Sequence, residues 1–316
     1  MAYVLPEIKL IYRLERGNTV KILKCFGLSL LSLVMIITLI LFEVNEKPVG
    51  SSIAGIVLGF SLPALIASIQ DLSDTTGWKV SQRKLMRGGF LKKDSLVRIS
   101  FAYLYRIKIG NKYLLVPNAH GTGKYQPVGG VYKLHGNEKN DLKNLYHVMD
   151  DDKILIDESS RNEYRLRLEN QYLRKFVKRF DERASREQID DLSREFREEM
   201  VEKGLVNWNQ ITYRVCGRHI TELEYGKHFQ IYELLLADVV ELILTPDQEK
   251  DLKLLMQNQS DKYIFATSEE IKALGINTNV GKLSETIADH SIKIIEESEG
   301  SLIHIPEYGK TFTVAL

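Results

Sequence analysis

Arg194-Glu195-Phe196-Arg197-Glu198-Glu199 is the stretch of this chain whose residue types and spacing carry a definite chemistry. On a helix, positions i, i+3 and i+4 share a face. The carboxylates of Glu195, Glu198 and Glu199 then fall together, while Phe196 turns the other way into a core. Three clustered carboxylates repel one another unless a cation lies among them. Mg²⁺ suits such a group, because it takes hard oxygen ligands, keeps some waters and bridges to substrate phosphates. The plain alternative is a solvated helix face in a chain in which 27% of residues are charged.

Other candidates are weaker. Four glycines fall between Gly121 and Gly130, and Gly121-Thr122-Gly123-Lys124 invites a phosphate-loop reading. The required G-x-x-x-x-G-K-[ST] is absent, and Tyr125 stands where Ser or Thr belongs, so that reading fails. Tyr125 and Tyr132 flank the glycine turn, and two roles stay open for them: stacking on a base or packing in a core. The seven histidines show no ligand spacing, and Cys25 and Cys216 form neither a disulfide framework nor a metal pair.

The elements that must carry these residues begin with a strong segregation of apolar residues. The chain has 316 residues, with 43 Lys and Arg against 42 Asp and Glu. A net charge of +1 excludes a globally basic nucleic-acid binder, so no nucleic-acid polymer is expected as a partner. Cys25 to Phe42 runs without a charge, and so does Pro48 to Gln70. Eighteen helical residues reach about 27 Å, close to the thickness of a bilayer core. The five residues between the runs force an antiparallel hairpin. A hairpin buried in a soluble core and a cleaved signal peptide are the alternatives. The length of the runs argues against the first, and the immediate second run argues against the other.

Lys9, Arg13, Arg16, Lys21 and Lys24 precede the first run, and Lys79, Arg83, Lys84, Arg87, Lys92, Lys93 and Arg98 follow the second. Basic flanks stay cytoplasmic, so both termini are expected inside a bacterial inner membrane. Ser51, Gly55 and Gly59 recur every four residues, and Ala67 continues their row past Pro63. Small residues so spaced allow close helix approach. They serve either the partner span of the same chain or homo-oligomerisation. Pro63 predicts a kink.

Beyond residue 96 the pattern turns to strands. Val97–Gly110 alternates, and a hairpin is expected at Gly110-Asn111. Ile154–Asp157 and Glu163–Glu169 are read as a short hairpin around Ser159-Ser160. Helices are expected over Asn170–Arg183, Arg186–Leu205, Ser268–Gly275 and Ser284–Glu297, with strands over Gln210–Ile220, Lys227–Leu244, Ser301–Glu307 and Lys310–Leu316. The order predicts an α/β sandwich with a mixed sheet.

The motif Arg194–Glu199 resembles the core of the Nudix box, G-x5-E-x7-R-E-U-x-E-E-x-G-U, with Phe196 at the aliphatic position. Lys124-Tyr125-Gln126-Pro127-Val128-Gly129-Gly130 resembles the segment that precedes the box, and Tyr105–Asn118 resembles the opening strands. Lys262–Gly275 resembles the strand-to-helix segment near the family's end. The resemblance covers about 96–295. It departs at Arg186, where the box has glutamate eight residues before Arg194; Glu182 and Glu187 are out of step. Four residues, not one, separate Glu199 from Gly204.

The resemblance implies a diverged Nudix-like sandwich with a mixed sheet, preceded by a transmembrane hairpin. Expected boundaries are 1–75 for the N-terminal segment and two spans (about 25–42 and 48–70), 76–95 for a basic linker, and 96–316 for a cytosolic domain with an insertion at about 131–190. Glu195, Glu198 and Glu199 would hold Mg²⁺, and Tyr125, Gln126, Gly129, Gly130 and Arg194 would meet a ligand. Two spans joined to such a domain look like the membrane effectors of bacterial anti-phage cyclic-oligonucleotide (CBASS) systems. That likeness implies a cyclic nucleotide from a cGAS-like nucleotidyltransferase as partner, with the lipid bilayer as target. A membrane-anchored, Mg²⁺-dependent pyrophosphohydrolase of a nucleoside diphosphate derivative is the alternative. The broken box favours the sensor.

Overall fold

The computed structural model describes residues 5–73, 77–118, 123–153, 160–182, 185–276 and 284–316. The chain divides into two units, Met1–Lys84 and Leu85–Leu316.

In the first unit, α1 (Leu5–Val44) and α2 (Pro48–Ser73) form the expected hairpin. Ile22–Val44 and Pro48–Ile69 are long and apolar enough to cross a membrane. Leu30, Ile37, Ile53, Phe60 and Ile66 are exposed, unlike the side chains of a soluble core. The face of α2 turned to α1 carries Ala54, Ser61 and Ser68, all buried and seven residues apart. Ser32 donates a hydrogen bond to Ser61 across the pair at 3.1 Å. The segment expected as a basic linker contains a helix, α3 (Gly77–Arg87).

The second unit opens with β1 (Leu96–Arg106), then β2 (Lys108–Ile109) and β3 (Lys112–Pro117), the hairpin expected at Gly110-Asn111. Next come β4 (Tyr125–Gln126), β5 (Gly129–Val131), α4 (Glu138–Tyr146), β6 (Met149–Asp150), β7 (Arg165–Glu169) and α5 (Leu173–Asp181). The chain continues with α6 (Ser193–Phe196), β8 (Gln210–Ile220), β9 (Glu224–Gly226), β10 (Ile231–Ile243), α7 (Pro246–Gln257), β11 (Ile264–Thr267), α8 (Ser268–Lys272) and β12 (Thr311–Ala315). Residues 154–157 and Ser159, on which the hairpin around 159–160 was expected, lie outside the described residues.

The main sheet runs β12-β8-β10-β1-β7-β6, with β5 on β1 and β9 on β10. It is mixed: β1 lies parallel to β10, and its other neighbours are antiparallel. A smaller sheet holds β11, β3 and β2, with β4 on β3. Within 131–190, β7 pairs along β1 from Leu96 to Ser100.

Side chains on β1 alternate, and the alternation builds two different faces. Phe101, Tyr103 and Tyr105 point one way and are fully buried. Phe101 meets Phe180 edge-on at 4.7 Å, and Tyr103 meets Tyr132 at 5.1 Å. This aromatic layer is the main core under α5 and α6. Ser100, Ala102 and Leu104 point the other way and floor a cleft.

Two helix expectations are corrected. Arg186–Leu205 is not one helix. Residues 186–192 spend their backbone groups elsewhere: Glu187 N–H donates to Lys133 O at 2.9 Å, and Tyr213 Oη donates to Ile189 O at 2.9 Å. Tyr105 Oη reaches Leu192 O at 2.8 Å. Those partners compete with the helical ladder, and helix begins only at Ser193. Ser284–Glu297 forms two 3₁₀ segments, Asp289–Ile294 and Glu296–Ser301, broken at Ile295 by extended backbone. The strand expected over Ser301–Glu307 is a single bridge between Ile303 and Arg218.

Candidate functional site

Phe196 sets the orientation of the glutamate turn. Its ring is fully buried, edge-on to Tyr105 at 5.5 Å and stacked on Trp208 at 5.8 Å. After one α-turn the backbone widens into a π-turn over Arg197–Val201, with Glu202 N–H donating to Arg197 O at 2.9 Å. π-Turns re-aim the side chains they carry. The three carboxylates line one cleft but in unlike settings. Glu199 is buried, Glu195 is largely buried, and Glu198 reaches the exposed rim.

The turn packs over β5, where Gly129 and Gly130 make room. The carboxylate of Glu195 overlaps the space that a Cβ on Gly130 would need. Gly129 donates its N–H to Glu199 Oε2 at 3.0 Å. Its φ of +145° and its contact with the Tyr103 carbonyl leave no room for a side chain.

Arg194 ties the turn to the sheet. It is paired with Glu195, it donates to Val131 O at 3.0 Å, and it meets Glu187 at 3.1 and 3.2 Å. Glu187 also accepts from Tyr103 Oη at 3.0 Å and from Lys133 N–H at 3.2 Å. Glu187 is the partner of Arg194 that box spacing passes over. Because 186–192 is not helical, the residue seven before Arg194 reaches the guanidinium.

Burial raises the pKa of Glu195, and it pushes that of Glu199 up to about 8, with Glu195 and Glu198 adding to the effect.

The cleft has a volume of about 650 Å³. Gln126, Gly129, Gly130 and Arg194 line it, as do the three glutamates. Tyr125 does not. Its ring packs against the core around Leu115 and Ile287, and its hydroxyl donates to Asp261 O at 3.1 Å. Tyr132 is buried, with its hydroxyl on Asp238 at 2.6 Å. Both rings pack against protein side chains.

A glycine-backed turn of glutamates held by an arginine beside an open cleft, on a mixed sheet, is the arrangement to set against known families. The sequence model of the SMODS-associated NUDIX domain matches residues 96–295. The chain belongs to this family. No curated protein and no solved structure matches it.

In this SMODS-associated NUDIX domain the carboxylates do not fit a divalent-cation centre as they stand. Glu195 is held by Arg194, Glu199 accepts from Gly129 N–H, and Glu198, at the exposed rim, lies 3.7 Å from the same Arg194 guanidinium. Among the described residues, no three His, Cys, Asp or Glu side chains are placed to share one ion. Of the small-residue row outside the domain, Gly55 faces Leu39 of α1 at 3.7 Å from an ideal Cβ. Gly59 opens onto empty space, and Ser51 and Ala67 are half-buried.

Proposed function

We propose that this protein is a membrane effector of an anti-phage CBASS system. Its cytosolic SMODS-associated NUDIX domain senses a cyclic nucleotide made by a cGAS-like nucleotidyltransferase. The α1–α2 hairpin then self-associates and disrupts the bacterial inner membrane. The observation that carries this reading is the open cleft whose glutamates are engaged by protein donors instead of converging for hydrolysis. The family match and the two apolar helices support it. A ligand drives assembly only through tighter binding to the assembled state.

The test is a binding panel of cyclic di- and trinucleotides against the full chain in detergent, with product analysis by chromatography. Saturable binding without turnover is expected. Mg²⁺-dependent cleavage of a phosphoanhydride would replace the sensor by the anchored hydrolase, with Glu195 released from Arg194 to take the ion. Absence of any nucleotide binding would sink both.

A further inference from the structure

The end of the cleft opposite the glutamate turn is lined by His219, Asp289, His290 and Lys293. Strand register sets its floor. His219 on β8, Ala237 on β10, Ala102 on β1 and Val131 on β5 lie side by side in one row. At about 4.8 Å per strand the row spans roughly 14 Å. The next row holds Leu235, Ser100 and Arg165. Small side chains at Ser100, Ala102 and Ala237 leave a shallow trough between the ends, wide enough for a planar ring. Glu195 and Glu199 stand over the β5 end, and His219 and Lys293 stand at the β8 end.

The cleft's cations differ in how they are engaged. Lys133 and Arg165 share Glu163 at 3.0 and 3.4 Å, and Arg194 is paired with Glu187 and Glu195. Lys293 lies on the 3₁₀ segment that roofs the β8 end, and it makes no salt bridge among the described residues. Asp289, four residues earlier, attracts it without pairing, and burial lowers the pKa of its ammonium. His219 Nδ1 is buried without a hydrogen-bond partner. A buried polar atom left unpaired costs free energy that a ligand atom would recover. Burial and the nearby Lys293 charge push the His219 pKa down to about 4, so the ring is neutral and offers one N–H.

We propose that His219 and Lys293 form a phosphate subsite that holds one phosphoryl group of the nucleotide by an imidazole N–H and an ammonium. The proposal rests on the cleft being the nucleotide site. It gives the ligand a direction: phosphate at the β8 end, ring system along the Ala237–Ala102 floor toward the glutamates.

The experiment uses the full chain in a maltoside detergent, which carries no phosphate, with ¹⁵N-labelled histidine. Sodium phosphate is titrated at fixed ionic strength, with chloride as the control. The imidazole signal that vanishes in His219→Gln should shift saturably. Lys293→Gln, on a turn outside the sheet, should weaken phosphate binding about tenfold or more with unchanged melting temperature. A wild-type signal that does not saturate, or undiminished affinity in Lys293→Gln, overturns the subsite. The cyclic-nucleotide panel on both proteins separates the two readings. Equal nucleotide affinity in wild type and Lys293→Gln removes the subsite and keeps the sensor. Saturable phosphate binding at His219 with no nucleotide binding keeps the anion site and removes the sensor.

Discussion

The Glu195 carboxylate occupies the space that a side chain on Gly130 would need. Only the far end of a flexible side chain blocks that space, so Gly130→Ala should cost little stability, about 1 kcal/mol or less. It should still push Glu195 off its place beside Arg194 and weaken nucleotide binding. Gly129 differs, because its φ is +145° and backbone atoms of Tyr103 and Leu104 block a Cβ. Gly129→Ala should cost on the order of 3 kcal/mol or more. Thermal denaturation of the two variants checks the contrast, and equal losses would contradict it.

Glu187 joins the glutamate turn to the aromatic core through Arg194 and Tyr103. Removing Glu187 takes two charge-assisted hydrogen bonds from a largely buried guanidinium and the acceptor from the buried Tyr103 hydroxyl. Glu187→Ala should therefore destabilise the domain by about 3 kcal/mol. Glu182→Ala, out on the end of α5, should change stability by less than about 0.5 kcal/mol. Denaturant midpoints measure both.

Glu199 makes stability depend on pH. Its folded pKa, about 8, lies above the unfolded value of 4.5. The folded state binds the extra proton between those values. The contribution is fully present below about pH 4.5 and is lost as pH rises through 8. The loss is at most about 1.4 kcal/mol per pH unit for one group. Glu199→Gln keeps an acceptor for Gly129 N–H and has no proton to lose. Melting curves from pH 5 to 9 should therefore fall more steeply for wild type than for the variant. Parallel curves would remove the assignment.

The small residues of α2 should separate into two classes. Gly50 lies against the Phe42 ring of α1, so Gly50→Leu should disrupt the hairpin itself and lower the amount of inserted protein. Gly59 has open space at its Cβ position, so Gly59→Leu should leave the hairpin intact. If Gly59 faces a second copy, dye entry into cells with the nucleotidyltransferase switched on should fall at matched protein level. Undiminished dye entry would assign assembly to another face.

Topology follows from the basic flanks of the hairpin. A reporter fused at Leu316 should be active in the cytoplasm and silent in the periplasm. The reverse result would remove the intracellular sensor.

The sequence by itself determined the elements whose signal is local. Charge-free runs mark α1 and α2, alternation marks β1, β8 and β10, and Arg194–Glu199 with Gly129-Gly130 marks the glutamate turn. The capping box of Thr245 and Gln248, with Pro246 at the first turn, starts α7, a helix absent from the expectations. Tertiary structure decided what depends on distant partners. Tyr105 and Tyr213 hold 186–192 out of a helix, and that is what brings Glu187 onto Arg194 although its spacing is wrong for the box. The core around Leu115 and Ile287 draws in Tyr125, for which the sequence left stacking and packing both open. His219 and Lys293, 74 positions apart, meet at one end of the cleft only because β8 pairs with β10 while a 3₁₀ segment roofs the same sheet face. Local periodicity records which face a residue takes, whereas strand pairing and competition for backbone hydrogen bonds decide which faces come together.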